Sequence, residues 1–442
     1  MILAWVVLFL VAICAYIDYK KTVIVWMACR LLFNAQVALR YSAPAMSLDF
    51  GMAILLIVMY YIKGENRGMT KSDFYLGPIL IATIASYSLS FIFSQYLVGE
   101  GLRVFIKIFV LNFAFLFIFQ RVLSNSNDVK LFLKAMIIVA ILISALGLFE
   151  FVFHDNPYLD YVYYNSPQEG TEGRMYYYPP GVNGSLQMRY GMVRAYSTFG
   201  IHLAFGRACV LILGFLLAIR NIWWIKIPKW QFSTAIIMCI IGCIVSNSKT
   251  PLLGMVVMLM LFLKPSQLLS KKTIIIVVSI ILVITILYQI IPSYFNNILS
   301  LFDKDLAEEG GGSSIMLRQR QLVIAWEMFQ QNPILGNGPG SLTVLRRMSH
   351  GEDILGAEGA LLSILPERGL LGYLVYLFTF VYFFRTSKGI IPTYKILIFL
   401  LSYFLTEIVS GIGDMTLCWA FIIAMRHIYL LNIGKEKRLL SY

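Results

Sequence analysis

Residues 318–340 read Arg318-Gln-Arg-Gln-Leu-Val-Ile-Ala-Trp-Glu-Met-Phe-Gln-Gln-Asn-Pro-Ile-Leu-Gly-Asn-Gly-Pro-Gly340. They form the centre of a polar interval, Pro292 to Ala357, inside an otherwise apolar chain. Leu317, Leu322, Val323, Ala325, Trp326 and Phe329 roughly follow helical spacing, which predicts an amphipathic helix lying on a membrane surface. Asn332-Pro333 ends it, because a proline drives the preceding residue out of helical geometry. Gly336-Asn-Gly-Pro-Gly340 then lets the backbone turn tightly, and this suits a phosphate cradle or plain loop geometry equally. So much polar sequence between apolar runs needs a wet compartment, and finding that compartment decides the fold.

The surrounding chain supplies the membrane. It has 442 residues, 59% hydrophobic and 13% charged; a soluble domain carries about 25% charge. Apolar runs near the ~20-residue bilayer length recur throughout. We read an all-α polytopic membrane protein with twelve to fourteen transmembrane helices and a large extracytoplasmic loop carrying amphipathic helices. Spans fall near 1–17, 22–41, 46–62, 74–97, 102–120, 130–153, 195–219, 230–246, 250–264, 273–292, 357–384, 392–410 and 412–432. The expected division is N-terminal helices over 1–153, a first extracytoplasmic loop over 154–194, central helices over 195–292, the large loop over 293–356 and C-terminal helices over 357–442. Met1 to Ile17 lacks a basic start and a small-residue cleavage site, so it reads as the first span. All six cysteines lie in apolar stretches and read as small helix residues.

The net charge of +13 points to short cytoplasmic loops rather than to nucleic acid. Lys20-Lys21, Lys63/Arg67/Lys71, Arg121/Lys130, Arg220/Lys226/Lys229, Lys264/Lys271/Lys272, Arg385/Lys388 and Lys435/Lys437/Arg438 all follow odd-numbered spans. The positive-inside rule then sends both long polar loops to the extracytoplasmic side, with Ser246-Asn-Ser-Lys-Thr250, Thr406, Glu407 and Asp414. No GxxxxGK[ST] and no strand–glycine–helix pattern marks a nucleotide site.

The first long loop is aromatic. Tyr176, Tyr177 and Tyr178 suit stacking on sugar rings and suit a membrane interface equally. Arg194 stands at the mouth of a span, where a guanidinium either snorkels to headgroups or grips a phosphate bidentately. His202, further in, reads as a hydrogen-bonding residue. Lys249 lies among loops that otherwise exclude cations, and a cation near the membrane invites an anionic partner. Arg318 and Arg320 offer further cations on the large loop, which also carries His350. Glu358 stands where the chain re-enters the membrane; there a carboxylate either favours the helix start or, partly desolvated, serves as a general base. Glu367 and Arg368 read as a satisfied charge pair. Asp303, Asp305, Glu308 and Glu309 read as a solvated loop beside Gly310-Gly-Gly312.

Together these motifs resemble the O-antigen ligase and polysaccharide polymerase superfamily of bacterial envelope proteins. Arg318 to Gly340 is similar to that family's R-x3-[aromatic/apolar]…P-[apolar]2-G-x-G-x-G signature, with Leu322 in the aromatic place. Glu358 opens the downstream pattern, which ends as Glu367-Arg-Gly-Leu-Leu-Gly372. Arg194-Ala-Tyr-Ser-Thr-Phe-Gly200 and Ser246-Asn-Ser-Lys-Thr250 resemble two further elements, and the likeness covers roughly residues 190–385. Lysine at 249 replaces the usual arginine, keeping charge but losing the fork. Glu358 stands where the ligase branch has histidine, and His350 is too early to fill that place, which favours the Wzy-type polymerase branch.

The resemblance implies a glycosyltransferase of a bacterial plasma (inner) membrane, with its active site facing the periplasm or exterior. It implies undecaprenyl-diphosphate-linked glycans as substrates, membrane lipids as surroundings, a chain-length-regulating membrane protein as a partner, and no metal or other cofactor. Transfer is then a single inverting displacement. Arg194, Lys249, Arg318 and Arg320 hold the diphosphate, Glu358 is the base, and Tyr176, Tyr177, Tyr178 and His350 contact glycan. The alternatives are a ligase passing finished polymer to another acceptor, and a flippase, which calls for charges near the bilayer midplane.

Overall fold

A computed structural model describes residues 2–33, 37–40, 46–63, 73–92, 94, 98–165, 188–189, 192–222, 224–262, 289, 296, 299, 315–342, 359–410 and 415–439. In chain order its helices are α1 (Ile2–Ile17), α2 (Tyr19–Cys29), α3 (Leu48–Ile62), α4 (Gly77–Ile92), α5 (Val98–Ile108), α6 (Phe115–Val122), α7 (Ser126–Phe153) and α8 (Pro157–Tyr164). They continue with α9 (His202–Ile219), α10 (Lys229–Val245), α11 (Lys249–Phe262), α12 (Ile315–Gln331), α13 (Ala360–Ser387), α14 (Thr393–Ser410) and α15 (Met415–Leu439). A π-helical turn, Phe109–Ala114, joins α5 to α6. Two short antiparallel hairpins, Ala38–Arg40 with Met46–Ser47 and Met188–Arg189 with Met192–Val193, are the strands among the described residues.

Five helices are long and apolar enough to cross a membrane: Gly101–Val122, Ser126–Phe153, His202–Ile219, Leu362–Ser387 and Thr416–Gly434. Shorter apolar helices accompany them. The chain is an all-α, multi-pass membrane protein, as its apolar runs predict. The span expected over 273–292 lies outside the described residues. The span expected over 22–41 is corrected. Its helix stops at Cys29, and a 3-10 turn at Arg30–Leu32 leads into the first hairpin. Arg30 opens that turn in helical geometry and is paired: its Nη2 lies 2.7 Å from Asp49 Oδ2 at the start of α3, as a buried guanidinium requires.

Side-chain contacts define one end of the bundle. Lys20 Nζ sits 2.7 Å from Asp128 Oδ2 and donates to Ser124 Oγ, and Lys63 Nζ donates to the Tyr16 carbonyl. Asn125 caps α7 there in a reciprocal box with Asp128. The centre is packed with Phe132, Phe215 and Phe421, the last two stacked at 4.5 Å. Between helices in lipid there is no hydrophobic driving force, so close fit decides. Gly206 and Gly242 supply it, because a Cβ on either would run into Ser246 Oγ or Cys209 Sγ across the α9–α10 seam.

Candidate functional site

The opposite end is built around the turn that precedes α9. There Glu150, buried in the last turn of α7, accepts three hydrogen bonds on one oxygen: from the N–H of Tyr196 at 2.9 Å, the N–H of Ser197 at 2.8 Å and Asn156 Nδ2 at 2.7 Å. Ser197 adopts φ +55°, and its hydroxyl donates to the Ile143 carbonyl at 2.6 Å. This lattice fixes the segment that carries Arg194. The guanidinium Nη1 lies 3.2 Å from His202 Nε2. Arginine only donates, so His202 accepts at Nε2 and is neutral in this contact. That is the hydrogen-bonding role expected of it. Burial, with the Glu150 carboxylate nearby, pushes the Tyr196 phenol above its ordinary value, so it stays protonated.

The N–H of Ala195 donates to the Val245 carbonyl at 3.1 Å, which joins the Arg194 turn to the end of α10. Ser246-Asn-Ser-Lys-Thr250 then makes the tight turn foreseen, with Asn247 at φ +45° and Pro251 in the first turn of α11. Lys249 opens α11. A cation at a helix N-terminus opposes the macrodipole, so helix stability does not account for it there.

The glycine turn follows α12, which Asn332-Pro333 ends as expected. Leu322, Val323 and Trp326 form an exposed apolar face, while Gln321, Ala325 and Met328 are buried. Of the two readings of Gly336–Gly340, loop geometry holds. The N–H of Gly336 goes to Asn332 O, that of Asn337 to Pro366 O, that of Gly338 to Glu367 O, and that of Ser341 to Gly338 O. The N–H groups of Gly340 and Leu342 go to the Glu367 carboxylate, so the cradle is filled from within. Gly336, Gly338 and Gly340 all have positive φ. Their partner is a break in α13 at Pro366–Gly369, where Gly369 takes φ 61°, ψ −163°. Arg368 bears on Glu367 by its charge, as a pair would, and its guanidinium also lies 4.3 Å over the Tyr87 ring.

A cavity of about 500 Å³ lies beside the first half of α9. Arg30, Lys107 and Arg207 line it, with Asp49, Glu407, Asn112 and aromatic walls that include Tyr87 and Tyr403. Arg207 Nη1 is 3.9 Å from Glu407 Oε1. A smaller pocket containing Arg368 adjoins it through Tyr87, Ile108 and Asn112. Several ionisable groups thus sit on the helices themselves. Asp49 and Arg207 are each a single charge in an apolar run, and Arg30, Lys107 and Glu407 are each one of two, where averaging hides them; an intramembrane ionisable residue was the available signal.

Of the predicted site residues, Arg194 and Lys249 lie on two turns linked by the Ala195–Val245 hydrogen bond. Arg318 and Arg320 lie on the first turns of α12, as backbone positions. Glu358, His350, Tyr176, Tyr177 and Tyr178 fall outside the described residues, as do Asp303, Asp305, Glu308 and Glu309. Among the described residues, no three His, Cys, Asp or Glu side chains gather in a metal-holding group.

Residues 234–377 match the family model for O-antigen ligase. The match supports the O-antigen ligase and polymerase superfamily, whose members are glycosyltransferase-like enzymes acting on lipid-linked glycans in membranes; it does not separate the two branches. Among curated proteins, none matches the chain. The matched region contains Lys249, Arg318, Arg320, Glu358 and the glycine turn with its partner in α13. Arg194 and the charged lining of the large cavity lie outside it.

Proposed function

We propose that the chain polymerises undecaprenyl-diphosphate-linked oligosaccharide repeat units into a surface polysaccharide, on the outer face of a bacterial plasma membrane. What supports this most is the juncture of the Arg194 and Lys249 turns at the end of the bundle that carries the O-antigen ligase region. Displacing a lipid diphosphate builds negative charge on the leaving group, and cations placed there lower the barrier. In the step proposed, an acceptor hydroxyl oxygen bonds to the donor's anomeric carbon as the bond from that carbon to the diphosphate breaks. The electron pair leaves with the lipid diphosphate, beside Arg194, Lys249, Arg318 and Arg320. The hydroxyl proton passes to Glu358. Polymer of this kind has its length set by a partner membrane protein.

The description of the matched family favours a second reading, ligation of finished polymer onto another acceptor. Lipid-linked products of a strain carrying Glu358→Gln separate the two. Single repeat units on the carrier, reachable from outside, are the expected result. Full-length polymer on the carrier would make the chain a ligase. Units held inaccessible inside would make it a transporter.

A further inference from the structure

The large cavity is not used by the step just described. Its lining comes from both halves of the chain: Arg30 and Phe33 after α2, Asp49 on α3, Tyr87 on α4, Lys107 and Asn112 on α5 and the π turn, Arg207 on α9, Glu407 on α14. Every one of these elements contributes from the part nearer the Arg194 end. Arg207 lies five positions beyond His202 on α9, so it sits about 7.5 Å deeper than the Arg194–His202 contact, at ~1.5 Å per residue. Three cations face two carboxylates in this lining. One ion pair is tight at 2.7 Å, whereas Arg207 and Glu407 stand 3.9 Å apart, at the limit of contact. The volume falls within the ~300–1,000 Å³ range of sites that enclose a small molecule. Cations set among aromatic rings suit a phosphate joined to a sugar, because guanidinium and ammonium take the phosphoryl oxygens and the rings take the sugar's apolar face.

We infer that this cavity is a second diphosphate site, which seats the sugar-diphosphate headgroup of one lipid-linked glycan while the Arg194 and Lys249 turns hold that of another. The inference rests on the proposed function, since only transfer between two lipid-linked glycans needs two such headgroups at once. Arg207 and Lys107 grip the phosphoryl oxygens. Glu407 gives up part of its hold on Arg207, and the Arg30–Asp49 pair stays as a wall.

Native mass spectrometry of the detergent-solubilised full chain, titrated with farnesyl diphosphate, tests this. Wild type is expected to take up two equivalents. Lys107→Gln and Arg207→Gln each weaken one of them at least tenfold, Lys107→Arg retains it, and Arg194→Ala weakens the other. A single equivalent on wild type, or two equivalents undiminished in both cavity variants, would overturn the inference. Two equivalents undiminished by Arg194→Ala but reduced by Lys107→Gln would leave the cavity standing and remove the clamp at Arg194. Competition identifies the source of the anion. Phosphatidylglycerol or inorganic diphosphate displacing the cavity-bound equivalent as well as farnesyl diphosphate does would overturn the assignment to a prenyl-linked diphosphate. Photo-crosslinking of wild type with a benzophenone-bearing prenyl diphosphate needs no variant. Label on peptides around Asn112 and Leu417 is expected, and label confined to the turns around Arg194 and Lys249 would contradict it.

Discussion

In the Arg194 turn, Glu150 collects the N–H groups of Tyr196 and Ser197 and the Asn156 amide; in the Gly336–Gly340 turn, Glu367 collects the N–H groups of Gly340 and Leu342. Both are carboxyl groups on membrane helices, used as internal acceptors for backbone donors. The turns differ in what is left over. The first presents a guanidinium beyond its lattice. The second has no side chain to present, and it ties α12 to the break in α13.

The contrast sets the order of expected effects. Gly336→Ala drives a Cβ into the Glu367 backbone and forces a non-glycine residue into positive φ. It should cost about 4 kcal/mol, from overpacking plus left-handed strain, read as loss of folded protein in detergent. Glu150→Ala orphans three donors and should cost about 3 kcal/mol. Glu150→Gln keeps an acceptor oxygen and should restore most of the unfolding temperature. Equal damage from Ala and Gln would show that the hydrogen bonds are not what holds the turn. Arg194→Ala should leave the fold intact and lower polymer synthesis about 100-fold, the scale of losing one charge-stabilising contact. Normal synthesis would remove the cation from the mechanism. Gly389→Ala is the control: φ is +83° but nothing lies within 4 Å of the added Cβ. About 1 kcal/mol of strain and unchanged activity are expected.

Much of this architecture was legible because membrane spans announce themselves by apolar length. An apolar run failed as a guide at 22–41, where α2 gives way to a 3-10 turn. Arg30 leaves a hydropathy average nearly unchanged, yet it is the residue there that pairs with Asp49. Lys107 and Arg207 escaped notice for the same reason, and with them the cavity. The glycine turn was recognisable from spacing, but its occupant was not. Glu367 is distant in sequence, and only the break in α13 brings its carboxylate beneath Gly340. Arg194 was found from its place at a span's mouth, while the Glu150 support that fixes it lay hidden at the end of an otherwise apolar helix.

The central claim is that this end of the bundle joins lipid-linked glycans. Purified chain in proteoliposomes, supplied with one defined undecaprenyl-diphosphate-linked repeat unit, tests it most directly. A ladder of longer glycans on the carrier is predicted, with one free lipid diphosphate released for each linkage formed, and both signals should be lost in Arg194→Ala. An unchanged pool of single units, in liposomes where the chain is folded and exposed to substrate, would contradict the account.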